Sequence, residues 1–343
     1  MNGSLTTSSQ EKIIFHTLWS VIVDVIILAG GLGTRLKPWT DSVPKPLIPL
    51  LDTTLIEHTI RILPRDTIQR VIIASGYGID QMRAYFNDYD SGFEIIVVKE
   101  ANPLGTGGAI ANCVEHIHSP RAIVMNGDLI TTVDVNDMLA QHIETKSLVS
   151  ISLWPVDDPS RFGVADYDQE SKLINRFQEK PKLEQAYSNL INAGCYIIED
   201  SVLRGLEVKF HSIERDVFPA IAESGAMGGY CYSGRFIDAG TPSSYIDAMM
   251  AAIEDQSFNS GKVVGTTWYA DPGTVWSGIE GCAIGSGCEI GLGAQLTRCA
   301  ILDGARIGAN STLRNCMIGK GATVPSNSHL ENVVLGFNQR YLV

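Results

Sequence analysis

An apolar residue recurs about every six residues toward the end of the chain. The series begins with Ile284, Ile290, Leu296 and Leu302. After single-residue slips it continues with Ile307, Leu313, Ile318, Val324 and Leu330, and small residues accompany it at Cys288, Ala294, Ala305, Ser311, Ala322 and Ser328. Such a period is typical of a left-handed parallel β-helix in which three hexapeptides form one coil. We therefore expect roughly three stacked coils, in a domain spanning residues 258–343.

This repeat predicts structural support or self-association more than catalysis. Its only histidine is His329, and no long loop interrupts the series to build an acyltransferase site. Cys299 and Cys316 are 17 residues apart, close to one coil, and are expected to stack inside it. A disulfide or a metal at that pair is the alternative. Flat coil faces and ends are natural contact surfaces, so a homo-oligomer formed through this domain is expected.

The other constraining stretch is 25–50, VIILAGGLGTRLKPWTDSVPKPLIPL. Its first four residues predict a buried strand. Three glycines within four residues follow at Gly30, Gly31 and Gly33, where a sharp turn can point backbone N–H groups at phosphate oxygens. Arg35 and Lys45 add positive charge. The spacing fits neither the P-loop nor the dinucleotide-binding GxGxxG pattern.

Short apolar runs at 71–74, 93–98 and 122–125 alternate with helical patterns at 54–63 and 80–86. This alternation predicts an α/β domain with a parallel sheet, which we place at residues 21–257. Asp128 follows the strand at 122–125, so it falls at the carboxyl edge where such sheets bind ligands.

A second glycine-rich stretch covers 102–109, NPLGTGGA, and leads into a helix. It is either a plain strand-to-helix connection or a floor on which a nucleobase lies flat, where any Cβ would intrude. Glu100 lies five residues before Gly105, within reach of a base edge. Guanine offers two adjacent donors that suit a carboxylate, whereas uracil and thymine suit an amide. Glu100 is therefore expected to favour GTP, and a solvated loop acid is the alternative.

The 25–50 stretch resembles the signature GGxGTRLxPxTxxxPKPLxP of the sugar-1-phosphate nucleotidylyltransferases. Further blocks of that family occur in the same order at 102–109, 161–164, 177–181, 191–197, 212–218 and 236–242. The resemblance is continuous from Val25 to Pro242, and in overall plan it is greatest to mannose-1-phosphate guanylyltransferases with a C-terminal β-helix. It implies a Rossmann-like mixed sheet nucleotidyltransferase domain followed by the left-handed parallel β-helix.

The resemblance also implies an activity. That activity is nucleotidyl transfer from an NTP, GTP in this branch, to a sugar 1-phosphate such as mannose 1-phosphate. Thr106-Gly107-Gly108 resembles heptose-1-phosphate guanylyltransferases as much, and glucose-1-phosphate enzymes that use UTP or dTTP are another alternative. A non-catalytic regulatory subunit that binds nucleotide-sugar is an alternative of another class.

Site residues follow from the same resemblance. Arg35 and Lys45 would be catalytic, contacting the triphosphate and departing pyrophosphate. Nucleotide-binding residues would be Leu28, Ala29, Gly30, Gly31, Gly33, Thr34, Glu100, Gly105, Thr106 and Asp128. Gly163, Glu179, Lys180 and Asn192 would bind the sugar phosphate. Asp128 and Asp238 would ligate Mg²⁺, which prefers one or two carboxylates together with phosphate oxygens. Either aspartate could instead be a helix N-cap, and Glu179 and Lys180 a surface ion pair.

Charge and cysteine usage bound the remaining functions. The formal net charge of −12, without any basic run, argues against a nucleic-acid partner. The seven cysteines show no CxxC pair, as expected of reduced thiols in a cytoplasmic protein. The apolar run 13–28 could suggest a membrane anchor, but His16 and Asp24 interrupt it and its last part must form the first strand. Residues 1–20 are therefore expected to be a non-catalytic extension, with no role at a membrane.

Overall fold

The computed structural model describes residues 22–271 and 273–342, so the expected extension at 1–20 lies outside the described residues. Within this part of the chain, no helix is both long enough and apolar enough to cross a membrane. Its main features are a nine-stranded sheet with helices on both faces and, after it, sheets of short strands in which parallel pairing dominates.

The first 13 strands described lie before the repeat region. They are β1 (Val23–Leu28), β2 (Pro49–Leu50), β3 (Thr53–Thr54), β4 (Ile68–Ser75), β5 (Glu94–Lys99), β6 (Arg121–Asn126), β7 (Leu129–Thr131), β8 (Val149–Pro155), β9 (Gly163–Asp168), β10 (Leu173–Glu179), β11 (Leu190–Glu199), β12 (Met227–Cys231) and β13 (Phe236–Asp238). The large sheet has the order β5-β4-β1-β6-β11-β8-β12-β10-β9. β1 pairs in parallel with β4 and β6, whereas β11 runs antiparallel to β6. The sheet is therefore mixed, as the family resemblance implied.

Helices cover both faces of this sheet. They are α1 (Leu55–Arg61), α2 (Ile79–Asp88), α3 (Gly105–Cys113), α4 (Val135–Thr145), α5 (Asp200–Leu203), α6 (Ile213–Asp216), α7 (Phe218–Glu223) and α8 (Pro242–Glu254). β1 shows why its sequence is apolar throughout. Ile26 packs into the core shared with α3 and α7, while Val25 and Ile27 face the core shared with α1 and α2. A strand covered on both faces needs apolar residues at every position.

The repeat region folds into parallel ladders. Its strands are β14 (Lys262–Val264), β15 (Thr267–Tyr269), β16 (Ile279–Glu280), β17 (Ala283–Ile284), β18 (Glu289–Ile290), β19 (Gln295–Thr297), β20 (Ala300–Ile301), β21 (Arg306–Ile307), β22 (Thr312–Arg314), β23 (Met317–Ile318), β24 (Thr323–Val324), β25 (His329–Glu331) and β26 (Val334–Leu335). Along one ladder Ile279, Leu296, Leu313 and Leu330 are consecutive partners, 17 residues apart. Two further ladders repeat at the same spacing. Three ladders with one period are the pattern of a parallel β-helix.

One position of the predicted apolar series is wrong. The series placed Leu302 after Leu296, but Ile301 is the core residue at that point and is 1% exposed. The step from Leu296 to Ile301 is five residues, because a coil here has 17 residues and not 18. Leu302 packs instead against the core cluster that includes α8.

The cysteines of the coils stack as expected. Cys282, Cys299 and Cys316 are buried at successive 17-residue positions, and the Cys299 backbone N–H lies 3.3 Å from the Cys282 sulfur. All seven cysteines of the chain are free, so the disulfide alternative is not adopted.

Candidate active site

The sheet brings two aspartates together at one edge. β1 and β6 end side by side, and the Gly127 N–H donates to the Leu28 carbonyl at 3.0 Å. Asp128 follows directly. β13 pairs antiparallel with β7, which places Asp238 opposite Leu129, one residue beyond Asp128. Two residues far apart in sequence are therefore neighbours through strand pairing.

Two cations meet these aspartates. The Lys45 ammonium contacts the Asp128 carboxylate and lies 3.9 Å from Oδ1 of Asp238. Gly240 marks where all the groups converge. A Cβ added there would lie 2.7 Å from Nη2 of Arg35, 2.8 Å from Oδ1 of Asp238 and 3.2 Å from Nζ of Lys45. A side chain at this position would displace the charged ends of these residues. We call the cluster the charge centre (Arg35, Lys45, Asp128, Asp238).

The loop that carries the two cations is closely packed. Gly33 has φ +61, and a Cβ on it would lie 2.9 Å from both the Lys45 Cβ and the Thr40 methyl carbon. The Thr40 hydroxyl donates to the Gly33 carbonyl at 3.0 Å. A 3₁₀ turn, Thr34–Leu36, then presents Arg35. Glycine is needed here for both its backbone angle and its lack of bulk.

Burial and close charged neighbours shift the pKa of Asp238 in the charge centre. Burial, and secondly the neighbouring Asp128, raises the pKa of Asp238, while Lys45 and Arg35 act in the opposite direction. Oδ1 of Asp238 is buried without a hydrogen-bond partner within the described chain. A carboxylate in that state favours the approach of a further cation.

A first cavity, of about 610 Å³, opens beside the β1 loop. Its lining is mainly apolar and glycine-rich, and includes Leu28, Gly30, Gly31, Leu32, Gly76, Tyr77, Glu100, Pro103, Leu104, Gly105, Thr106 and Phe210. Glu100 is 9% exposed, and its carboxylate occupies the space that a Cβ on Gly30 would need. Burial raises its pKa, and the Leu104 N–H donates weakly to it at 3.4 Å. Glu100 is thus not a solvated loop acid.

The three glycines of the second glycine-rich stretch lie inside the first turns of α3, and only residues 102–104 precede the helix. Glycine is a poor helix former, so another constraint must apply. Added Cβ atoms at Gly105 and Gly107 would overlap His211, and one at Gly108 would overlap the Lys209 carbonyl. Close packing against segment 207–212 therefore explains these glycines, where the sequence suggested a floor for a base.

Segment 207–212 also contributes Phe210, which no sequence motif marks as a site residue. The His211 N–H donates to the Leu104 carbonyl, and the Gly107 N–H donates to the His211 carbonyl, both at 3.0 Å. Phe210, the residue before His211, lines the first cavity with 77% of its surface exposed. A lone phenylalanine in a polar stretch carried no signal for this role.

A second cavity, of about 810 Å³, borders the charge centre through Arg35 and Asp238 and shares Thr106 with the first cavity. Its lining is polar and includes Arg35, Thr106, Arg161, Gly163, Glu179, Lys180, Asn192, Tyr196, Glu214, Arg215 and Asp238. Lys180 and Glu179 form an ion pair of 2.7 Å at its wall. Lys180 has φ +49, a conformation that non-glycine residues seldom adopt, and its N–H donates to the Phe162 carbonyl at 3.0 Å.

Gly163 and Asn192 are positioned by their neighbours. Gly163 pairs with Glu179 across the β9–β10 hairpin, and a Cβ on it would overlap the Phe177 ring. The Asn192 amide donates to the Tyr196 hydroxyl at 3.0 Å, and its carbonyl accepts from the Gly194 N–H at 2.9 Å. Each amide atom retains a further hydrogen-bonding position for a ligand.

Glu214 lies in the family block at 212–218 and connects side chains of the two cavities. Its carboxylate accepts from the Thr106 hydroxyl at 2.5 Å, the Ser212 hydroxyl at 2.6 Å and the Tyr196 hydroxyl at 3.2 Å. Thr106 lines both cavities, and Tyr196 connects Glu214 to Asn192 in the second. A carboxylate flanked by hydroxyl donors is a contact that sequence alone does not reveal.

Most of the predicted site residues are brought together. Leu28, Gly30, Gly31, Glu100, Gly105 and Thr106 line the first cavity, and Gly163, Glu179, Lys180 and Asn192 line the second. Ala29, Gly33 and Thr34 line neither. Ala29 is 3% exposed, and its N–H donates to the Ala74 carbonyl, so it supports the loop from within the core.

Comparison with known proteins agrees with this arrangement. Residues 24–255 match the nucleotidyl transferase family. Mannose-1-phosphate guanylyltransferase of Mycobacterium tuberculosis is 33% identical over 288 residues, which cover 80% of this chain and 78% of the relative. Mannose-1-phosphate guanylyltransferase 1 of Arabidopsis thaliana is 32% identical, covering 80% and 79%.

One solved structure is similar to this chain in both sequence and fold. HddC from Yersinia pseudotuberculosis, in its complex with GMP-PN, is 31% identical and has a TM-score of 0.57, covering 66% of this chain and 98% of that one. Taken together with the two cavities and the charge centre, these likenesses show that the chain belongs to the nucleotidyl transferase family and is a sugar-1-phosphate nucleotidyltransferase.

Proposed function

We propose that this protein transfers GMP from GTP to mannose 1-phosphate, giving GDP-mannose and pyrophosphate. The observation that carries the proposal is the convergence of Arg35, Lys45 and Asp238 on Gly240 beside a polar cavity, whose wall shares Thr106 with an apolar cavity. The first cavity would take the nucleoside and the second the sugar phosphate. Relatives that bear the name mannose-1-phosphate guanylyltransferase supply the choice of substrates.

The chemistry needs no covalent intermediate with the protein. An oxygen of the sugar phosphate attacks the α-phosphorus of GTP, and the bond from that phosphorus to the β-phosphate oxygen breaks as pyrophosphate leaves. Both reactants are anions, so the protein must hold them in line and neutralise their charge. Arg35 lines the polar cavity and Lys45 lies close to Asp238 of the same cavity wall, so both would stabilise the α-phosphate and the departing pyrophosphate.

A divalent cation fits the donor set of the charge centre. Asp128 and Asp238 place two carboxylates together, and Oδ1 of Asp238 is buried without a hydrogen bond. Two carboxylates completed by phosphate oxygens suit Mg²⁺. No group of three or more acidic, histidine or cysteine side chains lies close enough to form a metal site by itself among the described residues. Mg²⁺ bound to these two aspartates would supply further neutralisation of the triphosphate.

Sugar phosphate binding is assigned to the second cavity. Lys180 would contact the phosphate, and its partner Glu179 would accept from a sugar hydroxyl. Asn192 would offer its amide, and Gly163 would leave room beside the ring. Glu179 is 11% exposed in its side chain while Lys180 is 54% exposed, so this pair spans the cavity wall and is more than a surface ion pair.

The choice of base is assigned to Glu100. Its buried carboxylate at the floor of the first cavity would accept from N1–H and the N2 amino group of guanine. We expect Glu100→Gln to lower kcat/KM for GTP by roughly tenfold or more, since a charged two-point contact is worth about 1.5–3 kcal/mol. The variant should gain relative activity with UTP and dTTP. Unchanged preference for GTP would rule out this role.

Further expectations join this proposal. Residues 21–257 would form the catalytic domain and residues 258–343 a β-helix of left-handed twist that mediates homo-oligomer formation. The seven free cysteines support a cytoplasmic location. Light scattering of the purified protein with and without residues beyond 257 would measure the oligomer number.

The deciding experiment is a matrix of nucleotides and sugar 1-phosphates. Pyrophosphate release with Mg²⁺ is measured for GTP, UTP and dTTP against the 1-phosphates of mannose, glucose and heptose. We expect GTP with mannose 1-phosphate to give the highest kcat/KM. A higher kcat/KM with another pair would make that pair the substrates in place of GTP and mannose 1-phosphate. If no pair is turned over but the protein binds GDP-mannose, a regulatory binding subunit would be favoured.

A further inference from the structure

Trp39 ties the loop of the charge centre to the far end of the chain. It lies four residues after Arg35 and six before Lys45, and it is 0% exposed. Its indole N–H donates to the Leu335 carbonyl at 2.9 Å, across 296 residues of sequence. Leu335 belongs to β26, in the last coil, and the same carbonyl accepts from the Gly319 N–H at 2.8 Å. The acceptor is thus fixed by the ladder of the coils.

The contact is extensive and not a single bond. The Trp39 ring meets Tyr245 edge-on, with centroids 5.4 Å apart, and Phe337 with centroids 5.9 Å apart. Tyr245 on α8 also donates its hydroxyl to the Pro49 carbonyl, at the other end of the same loop. One core cluster therefore joins the loop, α8 and the coils.

The residue next to Trp39 contacts the segments that carry Arg35 and Lys45. The adjacent Thr40 holds the Gly33 carbonyl, and its methyl carbon shares with the Lys45 Cβ the space that a side chain on Gly33 would fill. A shift of the turn at Trp39 would be passed to Lys45 through these contacts. Arg35 lies on the same short segment, in the turn that begins after Gly33.

We propose that the last coil positions the catalytic loop, with Trp39 as a positioning residue that holds Arg35 and Lys45 in their reactive places. The inference rests on the proposed function of those two cations. It assigns the coils a part in the reaction itself, beyond assembly. Misplacement of a catalytic group by about 1 Å can cost on the order of a hundredfold in rate, so an anchor of this kind affects turnover before it affects binding.

The chain offers a matched control. Trp268 is also buried, at 2% exposure, in the same core cluster, and its indole N–H donates to the Ser260 carbonyl at 3.1 Å. Its ring meets Phe258, with centroids 6.3 Å apart, and its indole hydrogen bond goes to Ser260 and not to the loop of Trp39. Trp39→Phe and Trp268→Phe each remove one buried indole donor and leave an aromatic ring, so a purely structural loss should be similar in the two variants.

Two readouts test the proposal on the full-length protein. In steady-state kinetics, Trp39→Phe is expected to lower kcat about tenfold with both KM values within about twofold, and Trp268→Phe to leave kcat within about twofold. In hydrogen exchange, Trp39→Phe should speed exchange of the loop amides of Leu36, Leu47 and Ile48. Each of these closes a short turn within the loop, and Trp268→Phe should leave them slow.

The outcomes separate this inference from the proposed function. Equal kcat and equal loop exchange in the two variants would overturn the positioning role, whatever the substrates are. If the wild-type protein turns over no nucleotide with any sugar phosphate, the proposed function fails, and the exchange experiment still decides whether Trp39 orders the loop. Faster exchange without loss of kcat would also count against positioning, because the loop would then not need its anchor.

Discussion

The two cavities, whose walls share Thr106, are built in opposite ways. The first is lined by glycines, Leu, Pro, Tyr and Phe, with the buried Glu100 as a specific acceptor. The second carries arginines, Lys180, carboxylates and amides. A nucleobase is flat and neutral, so shape and one polar contact can select it, whereas a sugar phosphate is a charged polyol that needs cations and hydrogen bonds. The difference predicts which substrate each substitution will affect.

The largest effect is expected at the charge centre, which borders the polar cavity. Gly240→Ala would push a methyl group between Arg35, Lys45 and Asp238, all within about 3.2 Å. We expect kcat to fall by on the order of a thousandfold, because the two cations and the acidic pair would no longer share one place. Gly273→Ala is the control, since its Cβ meets nothing within 4 Å. Wild-type kinetics in both variants would show that the charge centre is not the reacting site.

A smaller effect, limited to one substrate, is expected from Lys180→Gln. The KM for the sugar phosphate should rise roughly 10- to 100-fold, since a charge-assisted contact is worth about 1.5–3 kcal/mol. The KM for GTP should change by less than about threefold. Lys182→Gln removes an exposed lysine two residues away and serves as the control. Equal rises in both KM values would contradict the division of labour between the cavities.

On the nucleoside side, Phe210→Ala is expected to raise the KM for GTP about fivefold to tenfold. The exposed ring at the cavity wall offers a stacking surface, and stacking of a base on an aromatic side chain is worth about 1–3 kcal/mol. The KM for the sugar phosphate should not move. Val208→Ala, at an exposed neighbour that does not line the cavity, controls for changes in the segment itself. A loss of sugar affinity would show that segment 207–212 serves the other cavity.

The sequence predicted the elements and much of the site because the signals were local. The continuous apolar run of β1, the glycine pattern near Gly33 and the six-residue repeat each reflect their own neighbours. Leu302 was misplaced because the sequence put the five-residue step after it, whereas the pairing register puts that step between Leu296 and Ile301.

What the sequence could not supply were contacts between distant segments. The glycines of α3 are explained by His211 and Lys209, about a hundred residues later. In the sequence Trp39 is one more residue of a loop, and its hydrogen bond to the Leu335 carbonyl is evident only in the structure. Glu214 gains its meaning from hydroxyls on three different segments. Such pairings depend on the register of strands, which no short motif encodes.

The smallest expected effect is a change of the KM for GTP with pH, which tests the contact between Glu100 and the base in the apolar cavity. Burial raises the pKa of Glu100, so its carboxylate takes up a proton at a higher pH than an exposed glutamate would. Only the ionised form accepts both guanine donors, and the KM for GTP should therefore rise as the pH is lowered toward the raised pKa of Glu100. Glu100→Gln has no such proton, and the ratio of the two KM values cancels the titration of GTP itself. A ratio that stays constant over the whole acid range in which the protein remains folded would contradict the contact between Glu100 and the base.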